Sequence, residues 1–96
     1  MNQAAPKIEI FYSQMCGLCH EAMDFFKGRD LPFDSFEVQW RGEDLVDSEH
    51  ARELKRRVPD VSFVPQIFID GRHIAGYRTL EELIRTGEIE EILRKD

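Results

Sequence analysis

Cysteine is scarce in this chain: two in 96 residues, at positions 16 and 19. A pair so close cannot staple distant parts of a fold, which points to reactivity or metal binding rather than a structural bridge. Proline is limited to four residues, glycine to six and tryptophan to one, and there are no repeats, so collagenous and low-complexity classes are excluded. No apolar run approaches the roughly 20 residues needed to cross a bilayer. Residues 1–6 are polar and lack the apolar core of a signal peptide, so a cytoplasmic protein is expected. Positive charge is also short, with 13 basic against 19 acidic side chains and a net charge of −6. Such a chain gains little from counterion release, so no nucleic-acid partner is expected, and no membrane partner either. Its one basic cluster, Arg52, Lys55, Arg56 and Arg57, reads as a solvated helix face before it reads as a guide for an acidic partner.

What is present fits one small globular domain over residues 1–96, with 42% hydrophobic and 33% charged residues. Residues 7–12 (KIEIFY) form a β-prone run broken at 13–17. From Cys19 the apolar positions Cys19, Ala22, Met23 and Phe26 repeat at helical spacing, and Gly28 is a natural stop. Residues 33–38 form a second strand entered from Pro32, and 39–46 a polar loop. Asp47 or Ser48 caps a helix to about Arg57, with Ala51, Leu54 and Val58 as its buried stripe and Pro59 after it. Residues 64–69 form a strand. Asp70-Gly71 then turns it back into residues 72–75 as a hairpin. Thr79 and Glu82 make a capping-box pattern for the next helix, which stops near Gly87. A last helix over 88–95 faces inward through Ile89, Ile92 and Leu93. The order β-α-β-α-β-β-α-α predicts an α/β fold: a four-stranded mixed sheet with helices on both faces.

Cys16-Gly17-Leu18-Cys19 falls where a strand ends and a helix begins. Free backbone amides and the helix dipole there favour a thiolate at Cys16. Cys19 shares the buried stripe and is placed to resolve whatever Cys16 captures. Cys16–His20 also spells the attachment motif for c-type haem, but a strand running directly into it is the wrong setting. Zinc needs four ligands, and His50 and His73 stand alone, so no metal site is expected. Pro65 opens a central strand, where it cannot donate to the ladder. That placement fits a cis peptide with the Val64 backbone facing a ligand, or simply a strand entry. Phe11 and Tyr12 read as core, and Trp40 as a loop anchor before a client contact.

Three segments in this order resemble the glutaredoxin family over nearly the whole chain. They are Ile10-Phe11-Tyr12-Ser13 leading to Cys16 and Cys19, Val64-Pro65-Gln66-Ile67-Phe68-Ile69-Asp70-Gly71, and His73-Ile74-Ala75-Gly76-Tyr77. The resemblance implies a thioredoxin fold with a cis Val64–Pro65 peptide and a monomeric thiol–disulfide oxidoreductase. Cys16 and Cys19 would be catalytic, glutathione the co-substrate, and disulfide-containing proteins the clients. It further implies a glutathione site at Gln14, Val64, Pro65, Gly76, Tyr77, Arg78 and Thr79. There the Val64 backbone would pair with the cysteinyl unit and the amides of Tyr77 to Thr79 would hold the γ-glutamyl carboxylate.

The chain departs from the family pattern at several positions. Gly17-Leu18 replaces Pro-Tyr, Gln14 replaces a frequent lysine, and Phe63 replaces a threonine. Arg78 and Thr79 stand where an acidic pair is common, and the 40–46 loop is longer. Gly17 raises a second reading, a glutathione-ligated [2Fe–2S] module. Gln14 and Arg78 raise a third, a redoxin reduced by thioredoxin reductase.

Overall fold

The computed structural model describes residues 5–94. Lys95, the expected end of the last helix, and the first four residues of the polar N-terminus lie outside them. The strands β1 (Ile8–Tyr12), β2 (Asp34–Glu37), β5 (Gln66–Ile69) and β6 (Arg72–Ala75) form one sheet in the order β2-β1-β5-β6. β1 and β2 run parallel, whereas the β1–β5 and β5–β6 pairs are antiparallel. The crossover between β1 and β2 is α1 (Gly17–Gly28), and α2 (Glu49–Arg57) leads into β5. After β6 come α3 (Gly76–Thr86) and α4 (Glu88–Leu93).

Period-two alternation sorts the side chains of the central strands onto the two faces. Ile8 and Ile10 of β1 and Ile67 and Ile69 of β5 join Cys19, Ala22, Met23, Phe26, Leu80 and Ile89 in the larger core, under α1, α3 and α4. Phe11 and Phe68 take the opposite face with Val38, Ala51 and Leu54, under α2. The expected stripe of α2 is thus inward at Ala51 and Leu54, with Val58 packed at its margin. Ser48, not Asp47, caps this helix: its Oγ accepts the Ala51 N–H at 3.0 Å, while Asp47 pairs with Arg52 at 2.8 Å.

The basic cluster is largely consumed within the fold. Arg57 donates to both carboxylate oxygens of the buried Glu9, at 2.9 and 3.0 Å, and to Glu53 at 2.7 Å. Its guanidinium lies 4.9 Å from the Phe68 ring centre and 5.6 Å from that of Phe11, in cation–π range. Arg56 binds the same Glu53.

Several sequence-based boundaries change. β5 starts at Gln66, not Val64, since Pro65 has no N–H to give the ladder, and β2 covers Asp34–Glu37 within the expected 33–38. The expected polar loop at 39–46 contains a small hairpin, β3 (Trp40–Arg41) and β4 (Asp44–Leu45), turned at Gly42 with φ +62°. α1 starts at Gly17 with Cys16 as its N-cap, inside the Cys16–Cys19 segment where the sequence puts the change from strand to helix. Thr79 does not cap α3. That helix starts three residues earlier, at Gly76, with no side-chain cap. The β5–β6 ladder runs on to Gly76, whose N–H donates to the Pro65 carbonyl at 2.9 Å, and Gly76 itself, at φ +87°, then turns the chain into the helix. The other end of α3 falls as expected at Gly87, in the left-handed region. No helix among the described residues is long and apolar enough to cross a membrane.

Candidate active site

The loop from β1 into α1 presents Cys16 at the C-terminal end of β1. The loop is closed by the Cys16 N–H donating to the Ser13 carbonyl at 3.2 Å. The Cys16 backbone is extended (φ −92°, ψ 103°), and its sulfur serves as the N-cap acceptor of α1, taking the Cys19 N–H at 3.0 Å. A position normally filled by a hydroxyl or carboxylate oxygen is thus held by sulfur. An N–H aimed at the sulfur and the positive end of a 12-residue helix both favour negative charge there.

Three residues on, Cys19 faces the core and is fully buried, whereas Cys16 is half-buried; both are free thiols. Burial first, and then the neighbouring Cys16, push the Cys19 thiol up to about 12, against an opposing backbone hydrogen bond from Ser13. The pair therefore divides into one accessible sulfur and one sealed, protonated thiol. The sequence expects this difference in burial, with Cys19 on the buried stripe of the helix.

Across from Cys16 stands the loop before β5. Its Val64–Pro65 peptide is cis, and the Val64 carbonyl lies 3.7 Å from Cys16 Sγ, within reach of the thiol proton. Sequence reasoning missed what fixes this loop. The buried Gln66 side chain donates to the Phe63 carbonyl at 2.9 Å and accepts from His73 Nε2 at 2.6 Å. His73 in turn stacks on Phe68 at 4.8 Å between ring centres. The signal was the buried glutamine itself, set in an otherwise apolar strand, since a buried amide requires partners.

Gly76 and Tyr77 open α3, and Gly76 lies against the loop that carries Phe63, Val64 and Pro65. The Gly76 amide is already bonded to Pro65, so Tyr77 and Arg78 carry the amides that the helix start leaves open, while Thr79 sits one turn in, where the helix ladder begins. Gly76 has φ +87°, and a Cβ there would stand 2.8 Å from Phe63 Cε2. Gln14 lies on the other side of Cys16. Its carbonyl accepts from His20 Nε2 at 3.0 Å, and with Met15, Glu37 and the half-buried Trp40 it lines a cavity of about 470 Å³. Of the residues expected at the site, the structure sets the Val64 carbonyl against Cys16 Sγ and Gln14 two residues before it, while Arg78 and Thr79 lie along the first turn of α3.

Among the described residues no group of three or more His, Cys, Asp and Glu side chains is placed to hold a metal ion. Only Cys16 of the pair is accessible, so this chain alone lacks the four ligands of a [2Fe–2S] group.

The parallel pair, the antiparallel hairpin and a Cys-x-x-Cys at the start of the first helix define a thioredoxin-fold thiol–disulfide oxidoreductase. The glutaredoxin family profile matches residues 8–74. Glutaredoxin-1 of Saccharomyces cerevisiae is 32% identical over 91 residues, covering 88% of this chain and 79% of the yeast protein. The chain belongs to the glutaredoxin family. The solution structure of glutaredoxin from Brucella melitensis superposes with a TM-score of 0.72 at 22% identity, over 97% of this chain and 94% of that one. A buckwheat glutaredoxin–glutathione complex gives 0.70 at 21%, over 92% and 76%.

Proposed function

We propose that this protein reduces protein disulfides and glutathione mixed disulfides through Cys16 and Cys19, with glutathione as reductant. The observation that carries this reading is the sulfur N-cap. Cys16 Sγ is accessible, accepts a helix amide at 3.0 Å, and has a sealed thiol one turn behind it.

The Cys16 thiolate attacks one sulfur of a substrate disulfide. A Cys16–substrate bond forms, the substrate S–S bond breaks, and the departing thiolate takes a proton from water. Once Cys16 is in a mixed disulfide its charge is gone, and with it part of what holds the Cys19 thiol high. Cys19 then loses its proton, attacks Cys16 Sγ and releases the second substrate thiol. The substrate has gained two electrons and the chain carries a Cys16–Cys19 disulfide. Two glutathione thiols restore the dithiol and leave as glutathione disulfide. For a glutathione mixed disulfide, a second glutathione can take the place of Cys19.

Glutathione as partner is supported by the buckwheat relative, whose structure holds it, and by two features here. The Val64 carbonyl faces Cys16. The open amides of Tyr77 and Arg78 at the start of α3 suit a carboxylate, with the Arg78 cation beside them.

Glutathione-dependent reduction of a glutathionylated protein is the test. Wild type is expected to turn over, and Cys16→Ser to fall to the uncatalysed rate. Cys19→Ser should keep the mixed-disulfide reaction and lose reduction of intramolecular protein disulfides. Full activity in Cys16→Ser would overturn the assignment. Turnover with NADPH and thioredoxin reductase but not with glutathione would leave the dithiol chemistry standing and replace the reductant.

A further inference from the structure

Among the described residues, three large hydrophobic side chains are left exposed: Met15 at 95%, Leu18 at 48% and Phe63 at 48%. All three adjoin the nucleophile. Met15 precedes Cys16, Leu18 lies between the two cysteines, and Phe63 precedes Val64, whose carbonyl is 3.7 Å from Cys16 Sγ. Trp40 joins them, since it lines both the cavity that contains Met15 and a second, of about 480 Å³, that contains Phe63.

Phe63 is held in place rather than loosely displayed. Gln66 binds its carbonyl, and its ring lies beside Gly76, where a Cβ would stand 2.8 Å from Cε2. Holding an aromatic ring in water while the rest of the fold buries its apolar side chains forgoes favourable burial, so the rim calls for an occupant.

Charge agrees. One residue in three is charged, yet residues 13–19 and 61–69, the two segments that face each other across the site, carry no charged side chain at all. Glu37 and Glu43 stand in the walls of the two cavities, and Arg78 in the first turn of α3.

On the dithiol reading above, whatever covers this rim must deliver a disulfide sulfur to Cys16. We propose that the preferred client is an extended protein segment whose half-cystine is flanked by aliphatic or aromatic side chains, gripped by Met15, Leu18, Phe63 and Trp40. Acidic flanks are disfavoured by Glu37, Glu43 and the net charge of −6. The reaction balances as before: the reduced chain and one peptide disulfide give the oxidised chain and two peptide thiols.

Single-turnover oxidation of the reduced full chain by two symmetrical peptide disulfides tests this, one with Leu and Phe beside the cysteine and the other with Ser at both places. Hydroxyethyl disulfide serves as a reference without flanks. Wild type is expected to react about 10-fold faster with the apolar peptide, the equivalent of one partly buried side chain. Phe63→Ser and Leu18→Ser should each lower that ratio, and the Met15→Ser, Leu18→Ser, Phe63→Ser combination should bring it near 1. A ratio near 1 in wild type, or one unmoved in the triple variant, would overturn the proposal. Reaction of wild type with hydroxyethyl disulfide no faster than Cys16→Ser would instead strike at the dithiol reading on which it rests.

Discussion

On the α2 face of the sheet, a buried carboxylate at Glu9 is met by two guanidinium hydrogen bonds from Arg57, which is itself braced by Glu53 and lies over two aromatic rings. At the Cys16 end the polar partners are neutral: a sulfur on an amide, a glutamine on a carbonyl, and a histidine on the glutamine. The contrast has a physical basis. A buried charge fixes geometry when its partner is permanent, which suits a face that only has to hold together. A site that must hold an anionic sulfur at one stage and a neutral disulfide at the next is better served by amides, which tolerate both.

Removing one partner on the α2 face is the severest way to probe the difference. Arg57→Met leaves Glu9 buried and unpaired and is expected to cost about 3 kcal/mol in urea unfolding. Replacing Glu9 by Leu as well should restore much of the loss. Arg57 holds Glu9 below its ordinary value of 4.5. The stabilisation is therefore complete above pH 4.5 and is lost as pH falls through the lower folded value. In the Arg57→Met variant this acid-side loss should disappear from the pH dependence of unfolding.

On the Cys16 side the most sensitive point is backbone, not charge. Gly76→Ala meets both a left-handed φ and the Phe63 ring, and should cost about 1–2 kcal/mol by thermal unfolding. Adding Phe63→Ala should relieve only the contact. The two faces also differ in how their helices begin. Ser48→Ala removes the cap of α2 and should cost about 1 kcal/mol. Thr79→Ala leaves the start of α3 intact and should stay within about 0.5 kcal/mol. Equal losses in these two variants would restore the capping-box reading of Thr79.

The sheet and its helices were legible because their signals are local. Ile8, Glu9, Ile10 and Phe11 alternate, Ala51 and Leu54 repeat at helical spacing, and Asp70-Gly71 announces its hairpin. The β3–β4 hairpin escaped because strands of two residues are too short to show a period. The start of α3 escaped because Gly76, at φ +87°, turns the chain where the β5–β6 ladder ends, before Thr79 is reached. The Glu9–Arg57 pair joins residues 48 apart, and periodicity carries no information about which charge meets which. At the site, Cys16, Cys19 and Pro65 stood out by residue type and spacing. Gln66 was a signal on its own, a polar residue in an apolar strand, but its partners His73 and the Phe63 carbonyl became visible only once β5 and β6 were in register.

A helix whose first turn hangs on the reactive atom carries its oxidation state in its backbone. The Cys19 amide donates to Cys16 Sγ. A sulfur that has entered a disulfide is neutral and a poorer acceptor, so that proton is held less firmly and exchanges with water sooner. One backbone resonance, followed without any label or cofactor, should report whether the molecule is charged with electrons or spent.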